Sequence, residues 1–135
     1  MIYLLDTDTI VYWLNGNRII AQKATVAGQT NVALSTVSQA ELYYGAYNSI
    51  RVEQNVTAIQ RLTQTIALLP FDEAAAQRFG QIKARLKQQG QIILDADVMI
   101  ASIALTHDLT LVTNNTKHFS RIPDLALENW TEASA

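Results

Sequence analysis

Residues 95–119, DADVMIASIALTHDLTLVTNNTKHF, decide the fold of this chain. Two acids, Asp95 and Asp97, open the stretch, and the apolar run VMIASIAL that follows is typical of a buried helix. The short turn THD then leads into a compact strand at residues 109–113. A helix followed by a strand predicts an α/β unit, in which ligands bind beyond the carboxyl ends of the strands. The polar residues Thr113 to Asn115 are therefore expected at a site.

The two acids of this stretch differ in how well helix capping explains them. Asp is a favoured N-cap residue and suits the first turn of a helix, so Asp95 is expected to cap the helix that follows it. Asp97 lies deeper in the apolar pattern, and capping explains it less well. Asp97 is therefore a candidate functional residue.

The rest of the chain repeats the alternation of strand and helix, which predicts βαβ units and a mostly parallel sheet of about five strands with helices on both faces. The predicted strands are residues 2–5, 32–34, 67–69, 109–113 and 125–130, with the last at an edge. Helices are predicted over residues 10–14, 37–45, 51–65 and 72–89, with Asp72 as the cap of the last, and residues 18–30 are helix or loop. The length of 135 residues fits a single domain, residues 1–135.

Composition excludes several classes of protein. The chain is 49% hydrophobic and 16% charged, which predicts a globular domain, and it has no cysteine for a disulfide, a thiolate nucleophile or a Cys-ligated zinc. The net charge of −2 announces no broad nucleic-acid-binding surface, although a local basic patch is compatible with it. No apolar run approaches the roughly 20 residues of a membrane helix, and no signal peptide is recognisable. We therefore expect a cytoplasmic protein without membrane contact.

Three acids occupy comparable places in the predicted topology. Asp6 ends the first strand, Glu41 lies on the helix after the second strand, and Asp97 lies on the helix before the fourth. Parallel strands end at one edge of a sheet, so these carboxylates would meet and repel one another in a cleft of low dielectric constant. Mg²⁺ or Mn²⁺ would relieve that repulsion, activate water and stabilise charge on a phosphoryl oxygen. The pattern predicts cleavage of a phosphodiester.

Some of these polar residues also have purely structural interpretations. Ser38 and Glu41 have the spacing of a capping box, and Asp8 is expected to cap the helix that follows the first strand. His118 and His107 have no visible partner in the sequence, so both are expected to be neutral surface or packing residues.

Four motifs together resemble the PIN domain, and in particular VapC-type toxins of toxin–antitoxin pairs. They are LLDTD at residues 4–8, SQAELYYG at 38–45, DADVMIAS at 95–102 and LVTNNTKHFSRIPDLALENW at 111–130. The resemblance implies a ribonuclease dependent on Mg²⁺ or Mn²⁺. It assigns metal binding to Asp6 and Asp97, completion of the site to Glu41, and the polar positions at the end of the fourth strand to Thr113 and Asn115.

The chain departs from this family pattern at a fourth acid. Many relatives carry Asp or Glu around Asn115 or at the position of His118, whereas this chain has no acid between Thr113 and Arg121. The departure favours one tightly bound metal ion over two.

The resemblance also implies an RNA substrate, with tRNA as a candidate by analogy, a VapB-like antitoxin whose tail lies across the active site, and a homodimer. Lys117 and Arg121 follow the polar strand end and are the cations best placed for RNA phosphates. More distant cations are Arg18, Lys23, Lys83 and Arg85. Tyr12, Trp13, Tyr43 and Tyr44 are interpreted as core or interface residues in preference to base-stacking residues. A groove between the Glu41 helix and the helix of residues 52–66 would suit an antitoxin helix.

Three alternatives remain open at this point. LLDTDT resembles the nucleophile motif of haloacid dehalogenase-type phosphatases, but Ile10 stands where that motif has Thr or Val. A phospho-receiver domain fits Thr113 and Lys117 only loosely. A catalytically inactive PIN-fold RNA-binding protein is supported by the missing fourth acid.

Overall fold

A computed structural model describes residues 1–132 as one parallel sheet enclosed by helices. The sheet has the order β3-β2-β1-β4-β5, and each of its four pairings is parallel. Its strands are β1 (Tyr3–Leu5), β2 (Val32–Ser35), β3 (Ala67–Leu69), β4 (Thr110–Val112) and β5 (Leu127–Glu128). The predicted α/β class and the edge position of the last strand are confirmed. The prediction of a single domain over residues 1–135 includes residues outside the described range, so it stays a prediction.

Seven α-helices and one short 3₁₀ turn are found within residues 1–132. The helices are α1 (Thr7–Leu14), α2 (Arg18–Ala27), α3 (Thr36–Tyr47), α4 (Val52–Thr65), α5 (Glu73–Gln88), α6 (Asp95–Thr106) and α7 (Thr116–Phe119), and the 3₁₀ turn is Gln29–Asn31. The sequence left α2 undecided and did not predict α7. None of the helices in these residues is long and apolar enough to cross a lipid bilayer.

The two faces of the sheet bury two separate cores. Successive residues of a strand point to opposite faces, so Leu4 packs into one core and Leu5 into the other. The core under Leu4 includes the buried face of α6, with Ile100 fully buried. The core under Leu5 includes Ile20 of α2 and Ile59 of α4. Burial on both faces explains why the central strands are continuous apolar runs.

The register of β1 against β4 determines where the candidate site lies. Leu5 pairs with Val112, and the backbone N–H of Asp6 donates to the Val112 carbonyl at 2.8 Å. Asp6 and Thr113 are thus the first residues after two adjacent strands. This arrangement confirms that both lie at the carboxyl edge of the sheet.

Two capping predictions on acidic residues are wrong. Asp6, not Asp8, is the N-cap of α1 and accepts from the N–H of the next residue, because the helix begins as soon as β1 ends. Asp95 is the first residue of α6 and not its cap, which is Leu94. The Asp95 carboxylate lies 2.8 Å from the Lys83 ammonium of α5 instead. Asp97 lies in the first turn of α6 and makes no capping hydrogen bond.

The capping box predicted for Ser38 and Glu41 is also wrong. Ser35 caps α3 and its hydroxyl accepts from the Ser38 backbone N–H at 3.0 Å, because β2 runs into the helix without a linker. Glu41 is therefore free of the capping role. The predicted cap of α5 is confirmed, since Asp72 accepts from the Ala75 N–H.

Candidate active site

Asp6 is the buried acid at the centre of the carboxyl edge. Asp6 is only 6% exposed, and both of its carboxylate oxygens accept hydrogen bonds. Oδ1 accepts from the Thr7 backbone N–H at 2.8 Å, and Oδ2 accepts from the Thr113 hydroxyl at 2.8 Å. Thr113 is itself fully buried. The ends of β1 and β4 therefore hold the orientation of this carboxylate between them.

The surroundings of Asp6 disfavour its negative charge. Burial, and after it the neighbouring charge of Asp8, raises the pKa of Asp6 to about 7, with a smaller contribution from the charge of Asp97. The hydrogen bonds from Thr113 and Thr7 act in the opposite direction and lower the pKa. The charges of two neighbouring acids thus act on Asp6, and a bound cation would relieve the cost of ionising this buried carboxyl.

Glu41 is held at the site by a residue that sequence reasoning missed. The Thr7 hydroxyl donates to Glu41 Oε1 at 2.6 Å and lies 2.9 Å from the hydroxyl oxygen of Ser38. Because Thr7 directly follows Asp6, this contact ties α3 to the end of β1. Glu41 is exposed, so its carboxylate faces solvent at the rim of the site.

Asp97 has a partner that the sequence did not reveal. Nε2 of His118 lies 3.1 Å from Oδ2 of Asp97, and the two side chains are 20% and 23% exposed. The expectation that His118 lacks a partner is therefore wrong. A topological signal existed, because β4 brings the chain back to the end of the sheet where α6 begins, which returns residues 116–119 to the first turn of α6.

Asn115 reaches the site through its backbone. Its N–H donates to the Thr113 hydroxyl oxygen at 3.0 Å, while that hydroxyl donates to Asp6. Its side chain is exposed. The neighbouring Asn114 accepts from the Thr131 hydroxyl at 3.1 Å, which anchors the strand end to the segment after β5.

The donor set fits a hard divalent cation that keeps most of its water. Within residues 1–132, no group of three or more His, Cys, Asp or Glu side chains is arranged so that it could hold a metal ion. Asp6 and Asp97 instead offer two carboxylates, and the charge of Asp97 acts on Asp6. Mg²⁺ is usually bound through one or two carboxylates plus waters, whereas structural zinc needs four protein ligands.

The predicted RNA contacts have different surroundings. Lys117 and Arg121 are exposed, on and just after α7. The more distant Lys83 is paired with Asp95, and Lys23 donates to the Glu132 carbonyl at 2.8 Å. Lys117 and Arg121 thus remain the cations nearest in sequence to the site.

The four aromatic candidates divide into two pairs. Trp13 and Tyr43 pack against the core, as expected from their structural interpretation. Tyr12 and Tyr44 are 41% and 72% exposed, which excludes them from the core.

A groove beside the site lies between α3 and α4, where it was predicted. It encloses about 280 Å³, and its lining includes Thr7, Glu41 and apolar residues such as Val11 and Ile59. A larger depression of about 670 Å³ lies at the start of α4, and none of the predicted site residues lines it. The groove, and not the larger depression, is thus lined by one of the predicted site acids, Glu41.

Comparison with known proteins gives consistent matches over nearly the whole chain. Residues 3–125 match the family described as PIN domain. Ribonuclease VapC2 of Rickettsia felis is 37% identical over 132 residues, which is 96% of this chain and 98% of the relative. The tRNA(fMet)-specific endonuclease VapC of Shigella flexneri is 34% identical over 129 residues, or 96% of this chain and 98% of that protein.

Among solved structures, the chain is similar to the crystal structure of VapBC2 from Rickettsia felis bound to a DNA fragment from their promoter. The TM-score is 0.90 with 36% sequence identity, and the match covers 96% of this chain and 99% of that chain.

Proposed function

Because this chain belongs to the PIN domain family, with VapC ribonucleases among its relatives, we propose that it is a metal-dependent endoribonuclease and the toxin of a VapBC-type pair. One observation carries the proposal: Asp6, buried and oriented between β1 and β4, is disfavoured as an anion by burial and by Asp8 and Asp97. A cation bound at this point would offset the cost of the negative charge on Asp6. Family membership also argues against the phosphatase and receiver alternatives.

In the proposed mechanism, the site residues bind the cation or position the groups that bind it. Asp6 and Asp97 would hold Mg²⁺ or Mn²⁺, with Thr113 fixing the Asp6 carboxylate and Asn115 fixing the Thr113 hydroxyl. Glu41, aimed by Thr7, would complete the site directly or through water. When bound, the cation would activate water for in-line attack on phosphorus and offset the charge that develops on the phosphoryl oxygens.

RNA is the proposed substrate, and tRNA is the first candidate. The name of the Shigella flexneri relative specifies tRNA(fMet), and this chain is 34% identical to it. Lys117 and Arg121 would contact backbone phosphates, because their side chains are exposed next to the strand end that carries Thr113. Such contacts position RNA and do not read its sequence.

A VapB-like antitoxin is the proposed partner, and a homodimer the proposed assembly. The groove between α3 and α4 has apolar lining residues together with the carboxylate of Glu41. An antitoxin segment with apolar residues and a cationic side chain would fill the walls and pair with that carboxylate.

The test is cleavage of purified total tRNA by antitoxin-free protein, with Mg²⁺ or with EDTA. Wild type is compared with Asp97→Asn and with the matched control Asp95→Asn, which changes a neighbouring acid that pairs with Lys83. We expect discrete fragments from the wild type and the control in Mg²⁺. No fragments are expected in EDTA or from Asp97→Asn.

The alternative of an inactive RNA-binding PIN domain predicts a different result. Folded wild type would then bind tRNA, rRNA and mRNA without cleaving any of them in Mg²⁺ or Mn²⁺. That outcome would overturn the proposed activity and direct attention to the missing fourth acid near Asn115.

A further inference from the structure

We propose that His118 is a positioning residue for Asp97 and that it makes the acidic site a one-cation site. The inference rests on the proposed function, because it concerns the cation that Asp6 and Asp97 would hold. It goes beyond that function by giving a role to the residue that stands where many relatives carry an acid.

His118 is placed to donate a hydrogen bond to the Asp97 carboxylate. His118 Nε2 is 3.1 Å from Asp97 Oδ2, and this is the one side-chain hydrogen bond that Asp97 makes within residues 1–132. An ionised carboxylate has no hydrogen to give, so Nε2 carries the N–H that is donated. The imidazole packs edge-to-face against the buried Phe119 ring at 5.1 Å between centroids. The imidazole is thus held by Phe119 with its Nε2 directed at the Asp97 carboxylate.

The imidazole at position 118 affects cation binding differently from a carboxylate at the same position. The hydrogen bond uses one lone pair of Oδ2, and Oδ1 of Asp97 has no side-chain hydrogen bond within residues 1–132, so both oxygens keep lone pairs for a cation. A carboxylate at position 118 would instead stand close to Asp97 as a second negative charge, and that repulsion would favour the binding of a further cation. Imidazole adds no negative charge in either protonation state. His118 therefore orients Asp97 while lowering the capacity of the site for a second ion.

Counting bound Mn²⁺ tests the inference without relying on activity. Metal-free, antitoxin-free protein is titrated with Mn²⁺, and the free ion is followed by electron paramagnetic resonance. The variants are His118→Ala, which removes the donor, His118→Gln, which keeps an N–H donor, and His118→Glu, which adds an acid. His107→Gln is the matched control, because this second histidine is exposed at the end of α6.

We expect one ion per wild-type chain and the same result for His107→Gln. His118→Ala should bind one ion about tenfold more weakly, as is usual when a hydrogen-bond partner of a metal ligand is lost. His118→Gln should recover most of that affinity. His118→Glu should bind two ions.

Thermal unfolding provides a second readout and verifies that each variant folds. In EDTA, His118→Glu should melt below the wild type, because two carboxylates then face each other without a cation. In saturating Mn²⁺, the same variant should gain more in Tm than the wild type does.

Two results would overturn the inference alone and leave the proposed function standing: two ions on the wild type, or equal affinity in wild type and His118→Ala while Asp97→Asn loses binding. Absence of Mn²⁺ and Mg²⁺ binding to folded wild type would overturn both proposals together.

Discussion

The acids at the centre and at the rim of the carboxyl edge are held in different ways. Asp6 is buried, and both of its oxygens are bound by groups from the ends of β1 and β4. Asp97 and Glu41 lie on helices. Asp97 is half-buried and held by His118, whereas Glu41 is exposed and held by Thr7. The central acid is fixed by the sheet, whereas the rim acids are fixed by contacts between helices.

Because of this difference, the central contacts should matter for both folding and activity, and the rim contacts mainly for activity. A contact between strand ends forms whenever the sheet forms, so the orientation of Asp6 is inseparable from folding. The rim contacts join α1 to α3 and α6 to α7, so we expect that changing them disturbs the sheet less. Substitutions at the centre should therefore affect both stability and activity, while substitutions at the rim should affect mainly activity.

At the centre, the largest expected effect is the loss of cleavage in Asp6→Asn. The amide has the size of the carboxylate but lacks its charge, so we expect activity on tRNA to fall by more than about 10²-fold, beyond the usual cost of losing a partner of a metal ligand. Initial rates in saturating Mg²⁺ measure this. Glu41→Gln, at the exposed rim, should retain more activity than Asp6→Asn, and the reverse order would contradict the contrast between centre and rim.

Thr113→Val should lower both stability and activity. Val has nearly the shape of Thr but cannot donate to Oδ2 of Asp6, which leaves a buried carboxylate oxygen without its partner. We expect a loss of about 1–3 kcal/mol in the free energy of unfolding, measured with urea. Thr113→Ser keeps the hydroxyl and is the control. Equal destabilisation in Val and Ser variants would mean that the methyl group, and not the hydrogen bond, matters.

The stability of the metal-free protein should depend on the charge of Asp6. Its pKa is raised from 3.8 to about 7, so between these values the folded protein holds a proton that the unfolded chain has released. Stability from Asp6 is therefore greatest at low pH and falls as pH rises through this range. Urea unfolding in EDTA across the range should show a steeper fall for wild type than for Asp6→Asn. Parallel curves for the two proteins would contradict the raised pKa.

Sequence reasoning succeeded where the fold follows from continuous burial. The apolar runs that became β1, β2 and β4 are buried on both faces, and such strands are recognisable without knowledge of their partners. Because parallel strands end at one edge, the proximity of Asp6 to Thr113 also followed from the sequence. The α/β class and the place of the site were predictable for the same reason.

Sequence reasoning failed where a contact depends on how helices meet. Thr7 and Glu41 are 34 residues apart, and Asp97 and His118 are 21 apart, so no local spacing marks either pair. The errors at Asp8 and Ser38 have a related cause. The chain enters α1 and α3 without a linker because the sheet pairing decides where β1 and β2 end, and this pairing is not visible in a local motif.

At the rim, Thr7→Val should reduce activity at a modest cost in stability. The variant removes the hydrogen bond to Glu41, which is exposed and can turn to water instead, and it removes the contact with the hydroxyl of the buried Ser38. We expect the free energy of unfolding to fall by no more than about 1 kcal/mol and the cleavage rate to fall measurably. Thr7→Ser should restore the rate, because the hydroxyl is kept. An unchanged cleavage rate in Thr7→Val would show that the hydrogen bond from Thr7 is not needed to orient the Glu41 carboxylate.

The smallest effect concerns RNA affinity at the outer rim, where Lys117 is exposed on α7. If this ammonium neutralises one phosphate, Lys117→Gln should weaken RNA binding and reduce the slope of log K against log salt by about 0.7, the value for one contact to a single strand. Filter binding of a tRNA anticodon stem–loop to Asp97→Asn protein in EDTA measures this without cleavage. Lys23→Gln is the control, because Lys23 lies on α2, which carries none of the predicted site residues, and already donates to the Glu132 carbonyl. An equal change of slope in both variants would mean that RNA senses only the net charge of the protein, and that the outer rim makes no specific phosphate contact.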